Sequence, residues 1–330
     1  MRELTGIDPQ ALPGDLLCST EPVVVRGLVA EWPVVRANSA PGGVPAYLRR
    51  FVGGATVGAW FGPPEIDGRF GYNADFSGFN FAREMVRFDA VLDTLARHQA
   101  DERPPALYVG STTIDTCLPG FRAENDLALD HLQPLASLWV GNRARVAAHQ
   151  DLPDNLACVV AGHRRFTLLP PDEVGNLYIG PLEHTLAGQP TSLVDFKHPD
   201  LDRFPKFEQA LRRAQVAELA PGDAIFIPSM WWHHVEALDP FNLLVNYWWR
   251  RSPAHMDSPM AALLLAIMSV RDLPPAQRDA WRSLFDHYVF DADASTAEHL
   301  PPAARQVLAA PLDGDATRAL RARVIRRLNR

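Results

Sequence analysis

Punctuation constrains this chain more than any other feature. Prolines and glycines, 29 and 21 in all, recur so often through residue 253 that the segments between them stay short. Those segments are rich in Val, Ile, Leu, Phe and Trp, the composition of strands bounded by turns. From residue 135 the signal is dense: "LASLWVG", "RVAAHQD", "NLACVVAG", "RRFTLLPP", "VAELAPGDAIFIP", "WHHVEALD" and "FNLLVNYWW" follow one another with turn residues between nearly all of them. That pattern predicts an antiparallel barrel or sandwich. Upstream, "AYLRRFVGG" (46 to 54) and "FDAVLDTLARHQ" (88 to 99) have helical spacing, and "ALYVGS" (106 to 111) reads as a strand.

After Pro253 the texture changes to Ala, Leu, Arg and Asp with helical periodicity, predicting helices over about 258 to 271, 275 to 289, 302 to 310 and 315 to 329. The expected organisation is a domain over 1 to 253, with a barrel core at about 105 to 250, and a helical extension over 254 to 330. No internal repeat interrupts this division.

A net charge of −7 argues against a general polynucleotide footprint. The terminal "RALRARVIRRLNR" reads as an amphipathic helix whose arginines complement the helix dipole. The longest apolar run, "MAALLLAIM" at 260 to 268, is too short to span a bilayer, and the amino terminus lacks a secretory pattern. Cys18, Cys117 and Cys158 are widely spaced and odd in number, which predicts buried free thiols in a reducing compartment. A cytoplasmic protein without membrane contact is the expectation. Gly-x-Gly-x-x-Gly, Walker-type and Gly-x-Ser-x-Gly motifs are absent from the sequence.

The chemistry concentrates in two segments. "HQDLPDNLACVVAGHRRFTLLPP" (149 to 171) opens with His149 and Asp151, which share a face in an extended strand. "LAPGDAIFIPSMWWHHVEALDP" (219 to 240) carries His233 and His234, beginning 84 residues downstream of His149. Two imidazoles and a carboxylate on strands of one barrel would form a facial triad suited to non-haem Fe(II), with three positions left open. The His-x-Asp spacing alone is common by chance and is better read as a surface strand or a hydrogen-bonded pair. Of the adjacent histidines only one can face the metal, and the other belongs on the outer face, hydrogen-bonded or exposed. Trp231 and Trp232 are expected to fill the core beside that strand, and His163, at a hairpin turn, to face water.

Together with "PVVVRGLVAEWP" and "LLVNYWW", these segments resemble the JmjC-type, cupin-like Fe(II)/2-oxoglutarate-dependent oxygenases, which include the asparaginyl hydroxylase of hypoxia-inducible factor. The resemblance covers roughly residues 15 to 250 and implies a mainly β fold: a double-stranded β-helix (jelly-roll) core, an N-terminal mixed region and a C-terminal helical extension. It implies that His149, Asp151 and His233 hold Fe(II) as the catalytic metal. Arg164 would anchor the distal carboxylate of 2-oxoglutarate with support from Tyr108, and Asn155, Asn246 and Trp248 would line the pocket. Arg164 stands where that hydroxylase carries a lysine and other branches of the wider superfamily an arginine, and Val146 where the family carries a threonine, so one hydrogen bond is missing. Arg165 would face away as a solvated charge. Dioxygen would be reduced with release of succinate and CO2, the substrate being a protein side chain or small molecule. A homodimer through the C-terminal helices is implied as well. Two alternatives stay open: a catalytically silent binding module, and a cupin metalloenzyme that does not use 2-oxoglutarate. Substrate selectivity falls to the loops at 61 to 80 and 172 to 200, the first of which reads either as a lid or as an ordinary surface loop.

Overall fold

The turn-rich sequence folds into thirteen short strands, described in a computed structural model that covers residues 1 to 329. In chain order they are β1 (Arg2–Thr5), β2 (Val23–Arg26), β3 (Thr56–Gly62), β4 (Ala82–Arg87), β5 (Ala106–Thr113), β6 (Leu135–Gly141), β7 (Arg145–His149), β8 (Asp154–Ala161), β9 (Arg164–Leu169), β10 (Gln215–Leu219), β11 (Ala224–Ile227), β12 (Trp232–Ala237) and β13 (Asn242–Trp249). Nine form one sheet in the order β1-β2-β11-β8-β13-β6-β5-β3-β4, and four form a second in the order β10-β9-β12-β7. All pairings are antiparallel except β1 with β2, and the whole is the predicted jelly-roll with helices.

The centre of the larger sheet is buried on both faces, which explains why β8 and β13 read as near-continuous apolar runs, whereas its edge strands β1 and β4 are largely exposed. Leu156, Cys158 and Val160 of β8 join Leu243, Val245 and Tyr247 of β13 in a core beneath the N-terminal elements. Ala157, Val159 and Leu244, offset by one residue, face the smaller sheet and pack on Phe166, Leu168 and Val235. The outer core is closed in part by the helix Phe88–Arg97, whose buried Phe88, Val91, Leu92 and Leu95 fall at one-turn spacing. Alternation holds from Asn155 to Val160 in β8 and along β13, so Asn155, Asn246 and Trp248 point between the sheets, and that fixes the inside of the barrel.

Two compact units are present, Met1–Arg251 and Ser252–Arg330. Within the second, helices span Pro259–Ser269, Pro275–Phe285 and Gly314–Leu328, with short turns at Pro302–Arg305 and Gln306–Leu308, and none of them buries a residue. Among the described residues no helix is long and apolar enough to cross a membrane. Of the three free cysteines, Cys117 and Cys158 are buried, whereas Cys18 is exposed and departs from the expectation.

The β8–β9 hairpin that delivers Arg164 turns at Gly162, which has φ +69°. A Cβ there would lie 2.3 Å from Asn242 Oδ1 and 2.6 Å from the Phe241 carbonyl oxygen, neither of which can retreat freely. Gly162→Ala is therefore expected to destabilise the first unit by about 2 kcal/mol or more, combining left-handed backbone strain with overpacking. A lowered urea midpoint with unchanged slope would register it; an unchanged midpoint would contradict the packing described.

Candidate metal centre

Three side chains from distant positions converge at one end of the barrel. His149 is the last residue of β7, Asp151 lies in the connection just beyond it, and His233 is the second residue of β12. Their ligand atoms all lie within 4.8 Å of one another. Antiparallel pairing of β12 with β7 sets His233 directly opposite His149, and the two rings stand 4.2 Å apart. Asp151 is off the strand, so the carboxylate reaches the histidines through the turn and not through strand alternation.

A bulge shapes this end of β7. His233 pairs with His149 but Val235 pairs with Val146, so β7 carries an extra residue between the two pairs. Such an insertion re-aims the side chains on either side of it. Val146 thereby joins His149 in lining the interior, while Arg145 turns outward to Asp195, at 2.8 Å, and Asp67, at 3.2 Å.

Both histidines of the cluster are oriented by the backbone. His149 Nδ1 donates to the Ala147 carbonyl at 2.9 Å and His233 Nδ1 to the Trp231 carbonyl at 3.0 Å, which turns each Nε2 toward the cluster. Burial, reinforced by the neighbouring His233, pushes His149 down to about 4, so it is neutral at physiological pH. His233 Nε2 faces Asp151 Oδ2 at 3.5 Å, and that carboxylate oxygen is buried without a hydrogen-bond partner. A buried carboxylate oxygen left without a donor is costly unless a cation lies beside it. Two imidazole nitrogens and a carboxylate oxygen make a donor set that fits Fe(II).

A second unmatched group stands deeper in the barrel. Arg164, the first residue of β9, shares its inward face with Phe166 and Leu168, and its side chain is buried with no carboxylate partner. Its Nε is unpartnered and one terminal nitrogen makes only a 3.5 Å contact with the Trp139 carbonyl. Burial depresses its guanidinium to about 10, still protonated at neutral pH. Tyr108 lines the same cavity, and burial raises its phenol well above the ordinary value, which keeps the hydroxyl a donor. Arg165 faces out to Glu218 as expected.

Asn155, Asn246 and Trp248 also line this cavity. Asn246 Oδ1 accepts from Trp139 Nε1 at 2.8 Å, and its amide nitrogen lies 3.4 Å from Asn155 Oδ1, so both amides are engaged in a side-chain chain across three strands. The Trp248 indole nitrogen is buried and unpartnered. Trp139 was not singled out from sequence, although parity along β6 carries the signal: Ala136, Leu138 and Val140 enter the outer core, which forces Trp139 inward.

Outside the metal cluster, His234 departs from the expectation of a hydrogen-bonded or exposed neighbour. It is buried, stacks on Phe196 with centroids 4.6 Å apart, and neither ring nitrogen has a hydrogen-bond partner. Burial, and secondarily Arg145, lowers it to about 3. The physical reason is the segment after β9, which folds over this face of β12 and excludes water. Trp231 and Trp232 enter separate cores, as predicted to fill them, and His163 is partly exposed and pairs with Asp239 at 2.7 Å.

Above the metal cluster the interior opens into a chamber of about 300 Å³. Its walls include Trp60, Phe70, Tyr108, Trp139, Leu186 and Trp248. The loops at 61 to 80 and 172 to 200 meet at its mouth: the Tyr72 hydroxyl donates to the His184 carbonyl at 2.6 Å, Phe79 stacks on His184, and Arg83 bonds the Leu186 carbonyl. Phe70 is buried beside Tyr108, so the first loop is part of the chamber wall and not a surface excursion.

Comparison with known proteins agrees with this architecture. The model of a family described as "Cupin-like domain" matches residues 9–255. The chain is 28% identical to lysine-specific demethylase 8 of Xenopus tropicalis over 234 residues, covering 71% of this chain and 49% of that protein. It is 35% identical over 128 residues to lysine-specific demethylase JMJ31 of Arabidopsis thaliana, covering 37% of this chain and 23% of the relative. Similarity to the human bifunctional peptidase and (3S)-lysyl hydroxylase JMJD7 is 26% over 266 residues, 71% of this chain and 79% of that one. The chain thus spans about half the length of the Xenopus relative and less of the plant one.

The geometry predicts how metal uptake responds to each histidine. Replacing His149 or His233 with Ala removes one of three donors and is expected to abolish stoichiometric Co(II) binding after dialysis. His234→Ala leaves the donors in place and retains it. Metal analysis of the three variants decides between the adjacent histidines, and retention by His233→Ala with loss in His234→Ala would reverse the assignment.

Proposed function

The chain belongs to the cupin-like domain family, in its JmjC-type branch, and from that premise we propose that it is an Fe(II)- and 2-oxoglutarate-dependent dioxygenase that hydroxylates a protein side chain or small molecule. The observation that carries the reading is the pair of unmatched buried groups in one cavity: a two-histidine, one-carboxylate cluster at one end and an unpaired arginine further in.

His149, Asp151 and His233 would hold the metal, which, with 2-oxoglutarate and dioxygen, supplies the oxidising chemistry and yields succinate and CO2. The remaining tasks fall to the chain's own residues. Arg164 pairs with Ala237 on β12 while His233 pairs with Leu168, so four residues of β9 separate the two levels, about 13 Å of strand. An arginine side chain and a five-carbon dicarboxylate together cover that span. The guanidinium would bind the distal carboxylate bidentately, where a lysine would offer a point charge. The Tyr108 hydroxyl would add a neutral donor, and the Asn155–Asn246–Trp139 chain would fix the cavity floor. Apolar walls exclude water from the reacting centre.

Anaerobic addition of Fe(II) and 2-oxoglutarate is expected to produce a weak visible charge-transfer band; its absence at saturation would favour a silent binding module or a cupin metalloenzyme of another kind. Arg164→Ala leaves the metal donors intact and should raise the 2-oxoglutarate requirement by roughly 10- to 100-fold, the loss of hydrogen bonds from a charged group. An unchanged requirement would reject the anchor.

We also propose a homodimer through the C-terminal helices. Leu263, Leu264, Met268, Trp281, Leu284 and Phe290 are all exposed there, Phe290 at 75%, an apolar surface larger than isolated helices normally leave to water. Sedimentation of the full chain should give a dimer, and Leu263→Asp with Leu264→Asp should give a monomer; a wild-type monomer at micromolar concentration would refute the interface. The reading places the protein in the cytoplasm, in keeping with its free buried Cys117 and Cys158.

A further inference from the structure

The chamber above the metal cluster carries information about what enters it. Asp151 is the one ionisable acid in its lining, and that carboxylate is directed at the two histidines. Beside His149 and the aromatic walls, with the Tyr108 hydroxyl and the indole nitrogens, side-chain polarity is limited to Ser111, Gln189 and Thr191, and no further carboxylate, lysine or arginine lines the chamber. Two cations stand close outside it. Arg164 lies unpaired in the adjoining cavity, and the Arg83 guanidinium sits 5.2 Å from the Trp60 ring centroid, behind the chamber wall.

We infer that the chamber accepts an uncharged, largely apolar substrate group and turns away an ammonium such as an unmodified lysine side chain. This rests on the oxygenase reading above and deepens it. A buried ammonium needs a carboxylate or a ring of acceptors to offset its lost hydration, and the walls supply neither. Cation–π attraction recovers only a fraction of that loss. It is also weakened here by prior engagement of the rings: Trp60 already carries Arg83 and stacks on Phe81 at 4.5 Å, and Trp139 meets Trp248 edge to face at 5.5 Å. A carboxylate substrate fares no better, because its one buried cation, Arg164, is the proposed anchor of the co-substrate.

The polar groups then have a definite use. Gln189 and Thr191 come from the segment that Tyr72, Phe79 and Arg83 hold at the mouth. They can hydrogen-bond the amide groups flanking the substrate group while its apolar part reaches toward His149. Ser111 sits at a bulge in β5, where register shifts between Val109 and Thr112 and φ is +46°, a left-handed conformation unusual for serine. Gly110 before it has no room for a Cβ against Trp139 and Tyr108, at 2.9 and 3.0 Å. The strained bulge thereby presents a hydroxyl at the chamber rim.

The test compares two probes that differ only in that the terminal ammonium of one is replaced by hydrogen in the other: Nα-acetyl-lysine methylamide and Nα-acetyl-norleucine methylamide. Each is titrated into the full chain with Mn(II) and 2-oxoglutarate under anaerobic conditions, read by fluorescence of the chamber tryptophans. The norleucine probe is expected to bind at least roughly tenfold more tightly, because the unpaired buried ammonium is the costlier occupant. Gln189→Glu supplies the missing carboxylate and should narrow or reverse that preference. Equal or tighter binding of the lysine probe to the wild type overturns the inference, and so does failure of both probes to saturate at their solubility limits. The anaerobic Fe(II) charge-transfer band is measured alongside: a band with lysine preference sinks this inference alone, whereas no band sinks the oxygenase reading beneath it.

Discussion

The backbone ladder between β7 and β12 is the constraint on which the site depends. It sets His149 against His233, residues remote in sequence, at the separation of paired strands. Neither histidine could be placed by its own side-chain preferences. The ladder does it through main-chain hydrogen bonds, and the extra residue in β7 lets Val146 and His149 face inward together while Arg145 turns out. Arg145 then binds Asp67 and Asp195, and Lys197 reaches Asp67 at 2.9 Å, which ties the two mouth loops to the base of the metal strand. A partly buried network of this kind fixes geometry more than it adds stability, since desolvating the arginine offsets much of the attraction.

Inside the barrel the chain tolerates what a purely structural core would remove. An unpartnered Asp151 oxygen beside His233, an unpaired Arg164 and an unpartnered Trp248 nitrogen all sit where water is scarce. Apolar residues of similar volume would be more stable at each position. The two charged sites are complementary in sign to what each lacks: the acceptor cluster lacks a cation and the guanidinium lacks an anion. An occupant that supplies both relieves both penalties at once, so binding and folding are coupled through the same groups.

Much of this was legible in the sequence, for identifiable reasons. The resemblance assigns Asn155, Asn246 and Trp248 to the pocket, strand parity from Asn155 to Val160 and along β13 agrees with it, and turn residues mark the hairpin that delivers Arg164. The C-terminal helices emerged from spacing because Pro259 and Pro275 start two of them. What escaped depended on long-range contact. The bulge in β7 leaves no local signature, Asp151 acts from a turn, and the burial of His234 is produced by Phe196, which nothing in the local pattern of β12 announces. Trp139 lay within reach of the same parity argument.

The division of labour between barrel and loops allows proteins that share this barrel to differ in what they act on. Strand register dictates the positions of His149, His233 and Arg164, with Asp151 carried on the turn just after β7, and a one-residue slip in β7 or β12 would turn the two histidines out of the barrel. The chamber walls obey no such rule. Leu186, Gln189 and Thr191 come from an irregular segment held by Tyr72, Phe79 and Arg83, and those contacts can be exchanged without moving a strand. A carboxylate at one loop position would change the charge the chamber accepts and leave the chemistry untouched. The names of similar proteins therefore bear on the reaction through the barrel and on the substrate only as far as these loop side chains agree.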